Sequence, residues 1–278
     1  MAKTTVKAGP MPIAILGAGN VGQALARGLL ATERYRDADI ALTRRHIDKP
    51  AELAGTHLLV SGDNRATVSN AREIVIAVQP LQLDALLSEI RGALDPKRHT
   101  LISVVTGVTI GQIRAQMGND LPIVRAMPNT AIAIRQSMTC LAAPPEHREA
   151  LDRARGLFDS VGTTLEIDES MMEAATALCA CGIAFFLRSI RAASQGGIEI
   201  GFHPEQALLM AAQTARGAAS LLMREGAHPE SEIDRVTTPR GCTIAGLNEM
   251  EHRGFSSAMI KGILTSARKA VELYRPEA

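Results

Sequence analysis

Tryptophan is absent from this chain, and with two Tyr and five Phe the aromatic share is only 3%. The core must therefore be filled by Ala, Leu, Ile, Val and Met, which suits closely packed helices. An excess of charge of either sign is also missing: 30 Lys and Arg stand against 29 Asp and Glu, for a net charge of +1. Neither sign accumulates in a long block, which excludes the footprint of nucleic-acid binding and a polybasic membrane patch. Partners should be small molecules or another copy of the chain. The four cysteines, Cys140, Cys179, Cys181 and Cys242, form no C-x-x-C pair. Cys179 and Cys181 stand too close in sequence to bridge easily. Free thiols in a reducing compartment are expected, without a zinc site. The seven histidines, at 46, 57, 99, 147, 203, 228 and 252, show no metal-ligand spacing and occupy polar or loop contexts. Each is read as a surface residue. The stretch 1–10 carries Lys3 and Lys7 but no apolar signal-peptide core, and no later stretch reads as long enough to span a membrane. A soluble, cytoplasmic protein is expected.

What is present begins at Ile13, where Ile-Ala-Ile-Leu leads into Gly17-Ala18-Gly19-Asn20-Val21-Gly22 and then into the helical run Gln23 to Leu30. A Gly-x-Gly-x-x-Gly pattern is weak alone, but between a strand and a helix it is a dinucleotide fingerprint. The first glycine permits a tight turn, the second lets backbone approach a pyrophosphate, and the third allows close packing of helix on strand. Unpaired N–H groups at the helix start would hold the phosphates. About twenty residues on, Asp39 to Thr43 reads as a second strand, whose end is where a ribose-reading residue belongs. An NAD site usually has Asp or Glu there. This chain has Thr43-Arg44-Arg45, and guanidinium groups suit a 2′-phosphate, so NADPH is expected, with NADH a possible second cofactor.

Apolar, β-branched runs follow at Leu58 to Val60, Ile74 to Val78 and Leu101 to Val105, with shorter ones at Ile123 to Arg125, Met138 to Leu141 and Thr164 to Ile167. They lack polar alternation, the pattern of strands buried on both faces of a parallel sheet. Amphipathic stretches such as Leu81 to Ile90 supply the crossovers. The expected fold class is α/β: a doubly wound, Rossmann-type domain over 11–165, followed by an all-helical domain over 166–278. In the second domain Ala/Leu-rich stretches take over at Met171 to Cys179, Ile183 to Ser194, Pro204 to Arg224, Thr243 to His252 and Ser256 to Tyr274. Leu208, Ala211, Ala215, Ala218 and Leu222 recur at helical spacing. Such a stripe allows close helix approach, and its remaining apolar face implies at least a dimer.

Two further stretches could carry chemistry. Thr237 to Leu247 places a Pro-x-Gly turn before a helix whose first turn carries Thr243, a geometry that captures a carboxylate. As a bare pattern it equally fits simple helix capping. Val124 to Thr130 offers the Asn129 amide and the Thr130 hydroxyl after a strand, and equally fits an ordinary turn. No Ser-His-Asp order or carboxylate pair stands out. A reductase without an evident His or Lys acid suits a substrate such as an imine already protonated near neutral pH, with hydride transfer left to the cofactor.

Taken together these stretches resemble the pyrroline-5-carboxylate reductase family, over nearly the whole chain. The match rests on Gly17-Ala-Gly19-Asn20, Ala77-Val78-Gln79-Pro80, Arg125-Ala-Met127-Pro128-Asn129-Thr130, Gln213-Thr214-Ala-Arg-Gly217, His228-Pro229 and Thr243-Ile244-Ala245-Gly246-Leu247. The resemblance implies NADPH-dependent reduction of 1-pyrroline-5-carboxylate to L-proline by a homodimer, often assembled into a homodecamer, with the active site between the cofactor domain and the dimer's helices. It also implies that Thr243 hydrogen-bonds the substrate nitrogen and that Thr238, Arg240, Gly241, Cys242 and Thr243 belong to the loop holding the substrate carboxylate. Asn64 matches an asparagine near the adenosine half of the cofactor, and Ala77, Val78, Gln79 and Pro80 match a cofactor-side motif. Asn129, Glu173, Thr176, Cys181 and Gly182 match positions around the substrate. The departures are Ala180-Cys181-Gly182-Ile183-Ala184-Phe185 for Gly-Ser-Gly-Pro-Ala-Tyr, Arg240 for a glycine, and Gln79 for a lysine. A backbone close to the substrate at Arg240 would call for positive φ. Because these changes fall around the substrate, a reductase of a different cyclic imino acid and a non-catalytic NADPH-binding relative are the alternatives.

Overall fold

The computed structural model describes residues 13–32, 34–45, 51–118 and 120–273. The amino-terminal stretch, His46 and Tyr274 lie outside them. The chain divides into two compact units, one running to Cys181 and resuming at Ser266, the other spanning Gly182–Thr265.

The first unit is an eight-stranded sheet in the order β3-β2-β1-β4-β5-β6-β7-β8. Its strands are β1 (Ile13–Leu16), β2 (Ile40–Thr43), β3 (Leu59–Ser61), β4 (Glu73–Ile76), β5 (Thr100–Ser103), β6 (Ile123–Met127), β7 (Ser137–Ala142) and β8 (Gly162–Glu166). Every pairing is parallel except β6 with β7. The expected strand segments all recur, shifted by a residue or two. Helices α1 (Asn20–Leu30), α2 (Asn64–Ser69), α3 (Leu83–Ile90), α4 (Ile110–Met117) and α5 (Arg148–Phe158) supply the layers.

The unbroken apolar runs are explained by the two faces of this sheet. Ile13 and Ile15 of β1 pack with Leu25, Leu29, Leu157 and Phe158 of α1 and α5, while Ala14 and Leu16 pack with Leu83, Leu87 and Ile113 of α3 and α4. Successive residues thus enter opposite cores, so neither set can be polar. Between β1 and β4 the strand order reverses direction, and the crevice beyond the carboxyl ends there is where such sheets take ligands.

From Glu169 the chain turns helical: α6 (Met172–Ala175), a π-helical turn (Thr176–Cys181), α7 (Gly182–Glu199), α8 (Pro204–Leu222), α9 (Pro229–Arg235), α10 (Cys242–His252) and α11 (Phe255–Val271). Two expectations are corrected here, the break in the first of these helices and the lack of any stretch of membrane-spanning length. The stretches read as separate helices before and after Cys181 form one helical run, Glu169–Glu199, long and apolar enough by length and composition to cross a membrane. The backbone widens into the π-turn instead of ending, which no local breaker residue signals. Short α9, opened by Pro229 at its first position, was not anticipated.

In the second unit, α7 and α8 approach closely: a Cβ on Gly197 would stand 3.0 Å from the Ala207 Cβ. Ala207 is the one fully buried residue of α8. The Leu208 to Leu222 stripe is exposed at Leu208, Ala218 and Leu222 and half-buried at Ala211 and Ala215, and Leu209 beside it is exposed as well.

The histidines are also corrected at one position. His99 is 2% exposed, its Nδ1 accepts from the Asp95 N–H at 2.8 Å, and its buried Nε2 has no protein partner. Burial holds this imidazole below its ordinary pKa, aided by the nearby Arg98 charge. A buried imidazole that prefers to be neutral contributes stability in full above its ordinary pKa of 6.5 and loses it as pH falls through the lowered folded value. His99→Asn, which keeps an acceptor for the Asp95 N–H, should therefore flatten the decline in urea-unfolding free energy between about pH 7 and pH 5. Equal slopes in the two proteins would contradict this account.

Candidate functional site

The glycine loop is built by close approach. Gly17 has φ +112°, and a Cβ there would stand 2.5 Å from the Ala77 carbonyl oxygen; a Cβ on Gly22 would stand 1.9 Å from the Gly17 carbonyl oxygen. Both positions exclude any side chain. Gly19 differs, because a Cβ there would meet nothing within 4 Å. No described neighbour excludes a side chain at Gly19, whose backbone faces open space. Gly19 is also the N-cap of α1 and places no side chain on the first-turn N–H groups. An exposed helix N-terminus of this kind attracts phosphate. Gln23 Nε2 donates to the Ala18 carbonyl at 2.6 Å and steadies the loop.

Backbone ladders carry the neighbouring segments to the same place. Gly17 N–H donates to Thr43 C=O, Ala77 N–H to Leu16 C=O, and Arg44 N–H to Ser61 C=O. The result is a cleft of about 420 Å³ lined by Gly17, Ala18, Gly19, Thr43, Arg44, Arg45, Asn64, Ala77, Val78 and Gln79. Asn20, Val21 and Gly22 form the adjoining first turn of α1, and Pro80 opens a short 3-10 turn after Gln79. The wall also includes Gly62, Gln82, Ala85, Leu86 and Glu89, which sequence reasoning missed. Glu89 accepts from Asn64 Nδ2 at 3.0 Å and so orients the asparagine.

A second group surrounds Arg125, whose side chain on β6 is 3% exposed. Its Nη1 lies 3.2 Å from Glu169 and its Nη2 lies 3.1 Å from Glu173. Glu169 also accepts from the Ile110 N–H at 2.7 Å. Arg125 thereby ties β6 and the start of α4 to the beginning of the helical run. Asn129 is used at both ends: its Oδ1 accepts from Ala131 N–H and its Nδ2 donates to the Cys179 carbonyl. Thr176, buried in the π-turn, donates its hydroxyl to the Met172 carbonyl. Glu173, Thr176 and Asn129 thus brace the π-turn that ends at Cys181.

Gly182 begins the second unit, which also contains the 238–243 loop. There Gly241 caps α10, with Cys242 and Thr243 in the first turn. A Cβ on Gly241 would stand 2.5 Å from Thr238 Oγ1, so the turn is tightly closed. Arg240 has φ +60°, the left-handed backbone expected where the family pattern carries a glycine.

With this geometry in hand, comparisons with known proteins are informative. Residues 169–273 match the family model for pyrroline-5-carboxylate reductase dimerisation, and residues 12–107 match a model described as NADP oxidoreductase, coenzyme F420-dependent. Pyrroline-5-carboxylate reductase 1 of Dictyostelium discoideum is 50% identical over 276 residues; the alignment covers 94% of this chain, which spans only 50% of that relative. Pyrroline-5-carboxylate reductase 2 of the same organism is 47% identical, with 93% of this chain and 91% of the relative covered. Among solved structures, a pyrroline-5-carboxylate reductase from Coxiella burnetii has 27% identity and a TM-score of 0.84, covering 96% and 100% of the two chains. The NADP-bound pyrroline carboxylate reductase of Plasmodium falciparum, at 22% identity, shares the fold with a TM-score of 0.85 over 95% and 98%.

The Arg125 cluster was the neighbourhood least visible in the sequence, yet a signal was available. A lone Arg inside the buried run Ile-Val-Arg-Ala-Met requires a partner, because an unpaired buried charge is too costly to persist. Removing one member of a fully buried pair costs about 3–5 kcal/mol. Glu169 and Glu173 retain 34% and 24% side-chain exposure, which lowers the cost. Arg125→Met should destabilise the protein by about 2 kcal/mol in urea unfolding. A loss below about 0.5 kcal/mol would mean the cluster is not a brace.

Proposed function

We propose a function from one premise: the chain belongs to the pyrroline-5-carboxylate reductase family. It reduces the C=N bond of 1-pyrroline-5-carboxylate to give L-proline, with NADPH as the reductant. The observation that carries this reading is that ten residues expected at the cofactor line one cleft at the sheet's switch point.

The residues fit the cofactor. Open space over Gly19 and the uncapped first turn of α1 accept a pyrophosphate. Arg44 and Arg45 would supply positive charge for the 2′-phosphate near Thr43, and Asn64, oriented by Glu89, would take the adenosine half. Ala77, Val78 and Gln79 line the same cleft, and Pro80 opens the turn that follows them. NADPH, when bound, supplies the hydride that the imine carbon receives.

The chain's own contribution on the substrate side is orientation. The Thr243 hydroxyl hydrogen-bonds the ring nitrogen, and the backbone N–H groups of the 238–243 loop, with Thr238 and Cys242, hold the carboxylate. Arg240 adds a fixed charge at that loop. Asn129, Glu173 and Thr176 act through the π-turn, keeping Cys181 and Gly182 in place. The outward apolar face of α8, in a segment matched by the dimerisation model, supports a homodimer or a larger assembly such as a homodecamer. Cytoplasmic placement belongs to the same reading.

Purified protein should oxidise NADPH at 340 nm with saturating 1-pyrroline-5-carboxylate, and do so faster than with a six-membered cyclic imino acid. NADPH binding without turnover of either would overturn the assignment, and preference for the larger ring would change the substrate. Thr243→Ala should lower kcat by about tenfold or more with NADPH binding preserved; unchanged turnover removes Thr243 from the mechanism. Arg44→Ala with Arg45→Ala should raise KM for NADPH by about 10- to 100-fold, through loss of charge-assisted hydrogen bonds. KM for NADH should change far less, and equal effects would refute the 2′-phosphate role.

A further inference from the structure

Cys140 on β7 and Cys179 in the π-turn stand with their Sγ atoms 3.9 Å apart. They come from segments 39 residues apart in sequence, and both are free thiols. Cys140 is 3% exposed within a cluster that includes Met127, Ala142 and Met172. Cys179 is half-buried, and so meets an oxidant first. A disulfide has an S–S distance of about 2.05 Å, so closing this pair requires sulfur movement of about 2 Å. Cys179 lies in the π-turn, a kind of local irregularity that recurs at functional sites.

We propose that Cys140 and Cys179 form a peroxide-reactive modification site that closes to an intramolecular disulfide and restrains the π-turn. The Cys179 thiolate attacks one oxygen of a hydroperoxide, the O–O bond breaks, and the leaving oxygen departs as water or alcohol after taking up a proton. Cys179 is then a sulfenic acid. The Cys140 sulfur attacks the Cys179 sulfur, the S–O bond breaks, and the hydroxyl leaves as water with the Cys140 proton. Overall two thiols lose two electrons and two protons, and the peroxide is reduced by the same two electrons. The Cys140 thiol, hydrogen-bonded to Cys179, holds the Cys179 pKa down to about 7 against the opposing effect of burial. Cys140 is held well above the ordinary range by that same hydrogen bond and by burial. The two sulfurs therefore divide into an attacking and a resolving partner.

The restraint reaches Asn129, whose amide donates to the Cys179 carbonyl at 3.3 Å, and Cys181 two residues on. The effect on turnover rests on the reductase reading above, whereas the disulfide does not.

The test treats the reduced full chain with hydrogen peroxide, alkylates the remaining thiols and maps the peptides by mass spectrometry. The expected result is a Cys140–Cys179 cross-linked peptide, removed by dithiothreitol, absent from Cys140→Ser and Cys179→Ser, and retained in Cys181→Ser and Cys242→Ser. Imine reduction by the oxidised protein should fall several-fold and return on reduction, in step with the appearance and loss of the cross-linked peptide. Alkylated Cys140 in fully oxidised samples, or a link from Cys179 to Cys181 instead, would overturn the site. A reversible cross-link with unchanged imine reduction would overturn the restraint. A cross-link in a protein that reduces no imine in either state would leave the site standing and remove the reductase reading.

Discussion

The cofactor side of the molecule depends on one close approach, in which β1, the glycine turn and α1 touch through backbone alone. With a Cβ on Gly22 1.9 Å from the Gly17 carbonyl oxygen and a Cβ on Gly17 2.5 Å from the Ala77 carbonyl oxygen, the turn is pinned between its own helix and the end of β4. That contact sets where α1 begins, and hence where its free N–H groups point. Gly19, alone of the three, is free of protein neighbours. The motif therefore separates into two glycines required by packing and one that packing leaves open.

A second constraint acts at the other end of the sheet. Burying Arg125 in β6 forces two carboxylates to gather from the start of the helical run, and one of them also takes the N–H of Ile110. The π-turn that follows inherits its position from these ion pairs and from Asn129, which caps one turn while gripping the Cys179 carbonyl. Buried charge of this kind is a weak source of net stability compared with an apolar replacement, but it is selective about geometry. Its role here is to define where the helical segment departs from the sheet.

The sheet was legible in the sequence because a doubly wound fold writes itself locally. Each strand is an apolar run, each crossover an amphipathic one, and the glycine loop sits between two such runs. Thr43, Arg44 and Arg45 were legible for the same reason, since the end of β2 is a fixed distance from the loop. What was not legible depends on contacts between distant segments. His99 looks like any turn histidine, and only packing buries it. Cys140 and Cys179 carry no spacing signal, and Arg125 finds its partners 44 and 48 residues away. The α8 stripe was correctly seen as apolar, but periodicity cannot tell whether such a face is covered within the chain or waits for another copy. The exposed Leu208, Leu209 and Leu222 favour the second.

Arg240 joins these threads in the loop before α10. A residue with a Cβ held in the left-handed region costs about 1–2 kcal/mol relative to the right-handed conformation. Such strain persists only where the surroundings over-determine the backbone. Around Arg240 they do, because Gly241 is closed against Thr238 and α10 starts at Cys242. The chain thus takes a path at φ +60° of the kind glycine favours, with an arginine side chain on it. Since the backbone shape survives and the side chain differs, the departure from the family pattern is one of what the loop displays. A carboxylate bound at the α10 N-terminus would still meet the same N–H groups, now beside an added positive charge.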